Sequence, residues 1–437
     1  MADPAANKSG SRGGGLPPLL EKAFAAHQAG DLDGAEADYR SFIKLHPDNP
    51  TALQLYGVLL SSKKDYPSAI QLMQKSLLLY PEQPEVANNL GNALKRYGRL
   101  DDAIDCYARA IELLPGYVEA HRNKALCHLA KQQLEDAGKC VRRALEIREE
   151  DPVSWLLLGN IHQRRADYAA AIPSYERALK LKPDYAEAYH NLGLCHRMRH
   201  EPGQAVSSYE KARGLGLDRA ELYLNLGNAL IDDLETDRAI DAYRQATIRN
   251  PADLESHKNL NSLLYQQNRL DEYLSSYRTA LEANASSVPL RRDYAIALYQ
   301  TGDYEKSVQV IKAGLEHAQQ KAELSSLLGL TLERLGEWDR ALGAHARAVA
   351  AGDRTSEHHI NYARALLAKR EPEEALEQAR LGMADMPFNQ RALAYLGLCW
   401  RLLGDGRDRD AQRLREHGSR LRCSNTGCLP GCSGVQR

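Results

Sequence analysis

A period of 34 residues runs through this chain without slipping. Steps of 34 from Gly57 land on Gly91, Ala125, Gly159, Gly193, Gly227, Asn261, Ala295, Gly329, Ala363 and Gly397, and one step back reaches Ala23. A second series runs beside it: Ala35, Ala69, Ala103, Ala137, Ala171, Ala205, Ala239, Tyr273, Ser307, Ala341 and Ala375. A fixed period of this length marks a solenoid, in which no unit buries its apolar face alone and each stacks on its neighbours. A solenoid offers a long repeated surface, which points to binding rather than catalysis.

Residues 84–117 serve as the type unit. Val86, Leu90, Gly91 and Leu94 follow helical spacing, and Gly98 then interrupts the pattern as a residue tolerant of positive φ does at a helix C-terminus. Ala103, Ile104, Tyr107, Ala110 and Ile111 share one face of a second helix, which Pro115 ends. Each unit is therefore two antiparallel helices with short turns, and breaks are expected at Gly98, Gly302 and Gly336. A mid-helix glycine costs about 1 kcal/mol relative to alanine. Its recurrence in register implies close approach of the two helices, with Tyr39, Tyr107, Tyr175, Tyr209, Tyr243 and Tyr277 filling the space from the second helix. The terminal proline recurs at Pro47, Pro81, Pro115, Pro183, Pro251 and Pro387.

Leu-Gly in the first helix, then Ala, Tyr and Ala in the second, then Pro: this pattern resembles the tetratricopeptide repeat. The resemblance covers residues 16–403, eleven repeats and part of a twelfth, with weaker units near Asn284 and Ala350. It implies an all-α fold, a right-handed superhelical solenoid of 34-residue helix-turn-helix repeats whose first helices line the concave side.

The ends fall outside the repeat. Residues 1–15 are rich in Gly and Ser, lack the apolar stretch of a secretory signal, and read as disordered. Residues 404–437 form an irregular Arg/Gly/Cys-rich tail in which Ala411–Leu421 is a candidate capping helix. Its mixture is also what out-of-frame reading of GC-rich DNA yields. Cys423, Cys428 and Cys432 fall one ligand short of a tetrahedral zinc site. Cys127, Cys195 and Cys399 share a repeat position with Ala93 and Ala229 and read as small apolar residues. With 57 basic against 58 acidic residues, no basic excess argues for nucleic acid. No apolar run approaches the roughly 20 residues a bilayer span requires. A cytoplasmic location is the expectation.

One position, two before the glycine, reads Asn89, Asn123, Asn191, Asn225, Asn259 and Asn361 in six of twelve repeats. Composition alone would place fewer than one asparagine there, and asparagine is a poor helix-interior residue. Amides in a row can pair with the backbone of an extended peptide whatever its sequence. The row resembles the asparagine ladder of the O-linked N-acetylglucosamine transferase family, which grips substrate polypeptides. Asn92, Asn160 and Asn228 lie one turn further along the same helices and extend it. The other account is that these amides bridge helix to helix. Lys95, Arg96, Arg122, Arg164 and Arg197 fall at first-helix positions where they would favour acidic segments. The expected partner is a protein or peptide in extended conformation.

No catalytic, cofactor or metal constellation emerges. His128, His162 and His196 recur in register, but equivalent sites in stacked repeats lie about 10 Å apart and cannot share one ion. Residues 396–405 resemble the last repeat of bacterial proteins in which such arrays precede a 2-oxoglutarate/iron(II) oxygenase domain. That likeness keeps a second reading open: the substrate-recognition module of an enzyme, of oxygenase or glycosyltransferase type, whose catalytic domain lies outside this chain.

Overall fold

The computed structural model describes residues 16–318, 321–351, 356–383 and 389–403. The N-terminal segment 1–15, the tail 404–437 with its candidate cap and three cysteines, and Pro387 lie outside the described residues. The described residues form 23 α-helices and no strand.

The chain divides into two compact units after Glu235. The first holds α1 (Pro18–Gln28), α2 (Leu32–Leu45), α3 (Pro50–Ser62), α4 (Tyr66–Leu79), α5 (Pro84–Tyr97), α6 (Leu100–Leu113), α7 (Val118–Ala130), α8 (Leu134–Ile147), α9 (Pro152–Arg164), α10 (Tyr168–Leu181), α11 (Ala186–Met198), α12 (Pro202–Gly214) and α13 (Ala220–Asp232). The second holds α14 (Thr236–Arg249), α15 (Leu254–Gln266), α16 (Leu270–Ala283), α17 (Val288–Thr301), α18 (Tyr304–His317), α19 (Ala322–Arg334), α20 (Trp338–Ala350), α21 (Ser356–Ala368), α22 (Pro372–Leu381) and α23 (Gln390–Leu402). In each unit odd and even helices pair as the first and second helices of a repeat, and each repeat packs on the next. Successive first helices also touch one another, α3 with α5 and α5 with α7, α17 with α19 and α19 with α21. Successive second helices do not approach to that extent. Within each unit the first helices therefore form the inner face.

Close approach explains the recurring glycine. A Cβ added at Gly91 would stand 2.6 Å from the Tyr107 ring, at Gly159 2.5 Å from Tyr175, and at Gly193 2.8 Å from Tyr209. These tyrosines are fully buried. In α20 a histidine takes the tyrosine's place: His345 lies over Gly329 and bonds Glu333 Oε1 through Nε2 at 2.8 Å. The alanines of the second series are fully buried too, and where Ser307 replaces one its hydroxyl donates to the Ala295 carbonyl at 2.8 Å. Cys127, Cys195 and Cys399 are fully buried free thiols, as small apolar residues would be, and burial pushes Cys195 up to about 12.

The turn between the two helices of a repeat is left-handed throughout. Gly98, Gly302 and Gly336 have φ of 94°, 88° and 77°, as their sequence positions imply. The same register carries positive φ at Lys64, Gln132, Ala166, His200, Leu234, Asn268 and Arg370. Closure of the helix end imposes it. In each turn a backbone N–H reaches back to a carbonyl of the last helical turn, as Asp167 N does to His162 O at 2.9 Å and Glu201 N to His196 O at 3.0 Å. Asp31, Asp65, Asp167 and Asp303 then cap the second helix by accepting the amide three residues on. Cationic residues at the end of the first helix reach back one repeat: Lys63 to Asp33, Arg165 to Glu135 and Lys369 to Asp339. Such exposed pairs contribute little each, about 0–1 kcal/mol.

Burial lowers the pKa of His121, His162, His190 and His257 below the ordinary 6.5. As pH falls, the unfolded chain therefore takes up these protons before the folded one does. The stability they supply is complete above about pH 6.5 and is lost as pH drops through the folded values. The unfolding midpoint should fall between pH 7 and pH 5, and His190→Gln, which removes one of the four groups, should flatten that profile. A flat wild-type profile would contradict this account.

Candidate binding surface on the first helices

In the first unit the asparagine row lies on α5, α7, α11 and α13. Asn89, Asn123, Asn191 and Asn225 are half-buried on the inner face. Their surroundings differ. Asn123 is engaged at both ends: its Nδ2 donates to Asn88 Oδ1 on the preceding first helix at 3.1 Å, and Lys95 Nζ donates to its Oδ1 at 3.5 Å. Asn191 Nδ2 donates to Asn160 Oδ1 at 2.9 Å, again across one repeat. Asn89 and Asn225 make no hydrogen bond among the described residues. In the second unit Asn259 is half-buried on α15, while Asn361 on α21 is buried and donates to Ser326 Oγ at 3.4 Å. One repeat position thus supplies both amides that bridge repeats and amides that stand open.

The adjacent row is held from below. The Tyr107 hydroxyl donates to Asn92 Oδ1 at 2.8 Å, and the Tyr175 hydroxyl to Asn160 Oδ1 at 2.8 Å. This fixes each amide with its oxygen toward the packing tyrosine. Asn228 occupies the corresponding place on α13, half-buried.

The basic residues separate in the same way. Arg122 Nη1 donates to both carboxylate oxygens of Asp151, at 2.9 and 3.0 Å, and Asp151 also caps α9. Arg164 donates to the Leu129 carbonyl at 2.9 Å. Arg197 Nε donates to Asp232 at 2.9 Å. All three tie one repeat to another. Lys95 is half-buried, and desolvation lowers its ammonium pKa. Arg96 is exposed with no partner among the described residues.

Arg96 belongs to a feature the spacing did not reveal. It lines a cleft of about 240 Å³ between the end of α3, the start of α4 and α5, together with Ser61, Lys64, Tyr66, Asn89 and Asn92. Lys64 sits in a turn, so no search of first-helix positions would reach it. The left-handed register of the turn is the signal that would have.

The histidines in register do not converge on a common point. His128 Nδ1 meets Gln133 Oε1 at 2.8 Å and His196 Nδ1 meets Glu201 Oε2 at 2.7 Å, each pinning its own turn. Among the described residues no three His, Cys, Asp or Glu side chains are grouped to hold a metal ion. No described helix is long and apolar enough to cross a membrane.

Family models described as tetratricopeptide repeat match residues 26–95 and 264–330, residues 88–152, 198–253, 224–289 and 326–385, and residues 150–215. A comparison with curated proteins found no match. Among solved structures, the chain is similar to a tetratricopeptide repeat protein from Parabacteroides merdae at 18% identity, covering 56% of this chain and 97% of that one, with a TM-score of 0.46. It is similar to YrrB, described as a repeat protein with an unusual peptide-binding site, at 20% identity over 42% of this chain and 95% of that one, TM-score 0.37. It is also similar to the P58(IPK) repeat domain at 16% identity over 88% of this chain and 97% of that one, TM-score 0.31.

Proposed function

The chain belongs to the tetratricopeptide repeat family, and on that premise we propose that this interaction scaffold binds extended polypeptide on the inner face of its first helices. The observation that carries the reading is the row Asn89, Asn123, Asn191 and Asn225. It recurs at one repeat position on that face and includes amides that no group among the described residues engages. An open amide offers a donor and an acceptor to a peptide backbone, each bond worth about 0.5–1.5 kcal/mol net. Several such bonds support moderate affinity with broad sequence tolerance.

The bonding pattern makes the reading testable against a purely structural role. Asn89→Ala with Asn225→Ala removes open amides and should leave urea unfolding unchanged. Binding to an array of unrelated peptides should weaken by a similar factor throughout, about 5- to 150-fold for one lost bond at each of the two sites. Asn123→Ala with Asn191→Ala removes bonds between repeats and should cost stability as well, about 0.5–1.5 kcal/mol per site. Undiminished binding by a folded Asn89/Asn225 variant would make the row structural and end this proposal.

A further inference from the structure

The cleft at the α3–α4 turn has a composition of its own. Its floor is apolar, from Val58, Met73 and Ala93. Two exposed cations, Lys64 and Arg96, line it together with Tyr66, and Ser61 lines it with a buried hydroxyl. Among the described residues no carboxylate lines it. The neighbouring Asp65 spends its side chain on the Ser68 amide as the α4 cap. Neither Lys64 nor Arg96 has an ion-pair partner among the described residues, whereas Lys63 next door is held by Asp33 and Glu36.

Three further observations point the same way. The Ser61 hydroxyl is buried and has no hydrogen-bond partner among the described residues, and an unmet buried polar group is unfavourable. The Tyr107 hydroxyl holds the Asn92 oxygen, which leaves the Asn92 Nδ2 donor free for the cleft. Asn89, one of the open amides of the row, also lines this cleft. Donors and positive charge gather there without a counterpart.

We propose that this cleft receives an anionic side chain, phosphate or carboxylate, of a polypeptide lying along the first helices. Lys64 and Arg96 neutralise its charge, and Ser61, Tyr66 and Asn92 donate to its oxygens. The proposal rests on the peptide-binding reading above and adds a selectivity that the asparagine row lacks. Charge-assisted bonds are the stronger kind, so a phosphate with nearly two charges should be preferred to a carboxylate with one.

The test uses the full chain and three degenerate peptide pools whose fixed central residue is alanine, glutamate or phosphoserine. Fluorescence anisotropy should show the phosphoserine pool bound at least about tenfold more tightly than the alanine pool, with glutamate between them and the preference shrinking as salt rises. Lys64→Gln with Arg96→Gln should abolish the preference and leave alanine-pool binding in place. Glutamine is already tolerated in this left-handed turn at Gln132, so the variant should fold, with circular dichroism as the check. Equal binding of the three pools by the wild type, or a preference that survives in the variant, overturns the cleft while the peptide-binding reading stands. If no pool binds, the peptide-binding reading fails and the cleft is decided alone. N-acetyl-phosphoserine amide must then raise the wild-type melting temperature but not the variant's, and no shift overturns it.

Discussion

Gly159→Ala should destabilise the protein by about 1–2 kcal/mol, although alanine is the best helix former. The propensity gain is about 1 kcal/mol. Against it stands a Cβ placed 2.5 Å from Tyr175 Cε1, a distance that forces the ring to move. Overpacking of this kind costs about 1–3 kcal/mol. The ring cannot move freely, because its hydroxyl proton is shared between two acceptors, Asn160 Oδ1 and Gln163 Oε1. Losing that hydrogen bonding adds to the cost. In a Tyr175→Leu background the obstacle is gone, and Gly159→Ala should become neutral or stabilising by up to about 1 kcal/mol. Urea unfolding of the four proteins in this cycle measures the coupling. An equal loss in both backgrounds would show that the glycine serves something other than the tyrosine.

Replacing Gln132, Ala166 and His200 together by glycine should stabilise the protein by about 1.5–3 kcal/mol, seen as a raised urea midpoint. Their φ values of 60°, 58° and 59° hold them in the left-handed region, which costs a residue with a Cβ about 1–2 kcal/mol. Glycine removes that strain but gives back some of the gain through the greater freedom of the unfolded chain. All three side chains are exposed, so no packing is lost with them. Gly98→Ala, at φ 94°, should move stability the other way. If the triple glycine variant is no more stable, the turns bear no strain worth relieving.

These two experiments probe what the sequence made legible and what it did not. The period located the helices, because small residues at one register can serve only a close crossing, and Gly91 against Tyr107 is such a crossing. Breaks at Gly98, Gly302 and Gly336 were legible because glycine declares the conformation it permits. Those at Ala166 or Leu234 were not, since nothing in alanine or leucine declares a positive φ, and the helix-end hydrogen bonds impose it instead. The asparagine row was legible as a row. Its division was not: Asn123 and Asn191 bridge repeats while Asn89 and Asn225 do not, and that depends on which residue the neighbouring helix presents. Arg122 and Arg197 read as groove charges until Asp151 and Asp232 are found beside them. Residues 29 and 35 apart in sequence meet only once the stacking is known.

The left-handed turns also bear on how such an array can diversify. Lysine, glutamine, alanine, histidine, leucine, asparagine and arginine all occupy the same bend. Where closing bonds dictate the backbone, residues bearing a Cβ carry a similar conformational penalty, so exchange among them is close to neutral for folding. Each repeat thereby owns one outward vertex whose chemistry can drift without endangering the scaffold. Lys64, which lines the cleft, is one such vertex. An array of this design can acquire or discard a charged recognition group through single substitutions at its corners, and leave the helices that hold it together untouched.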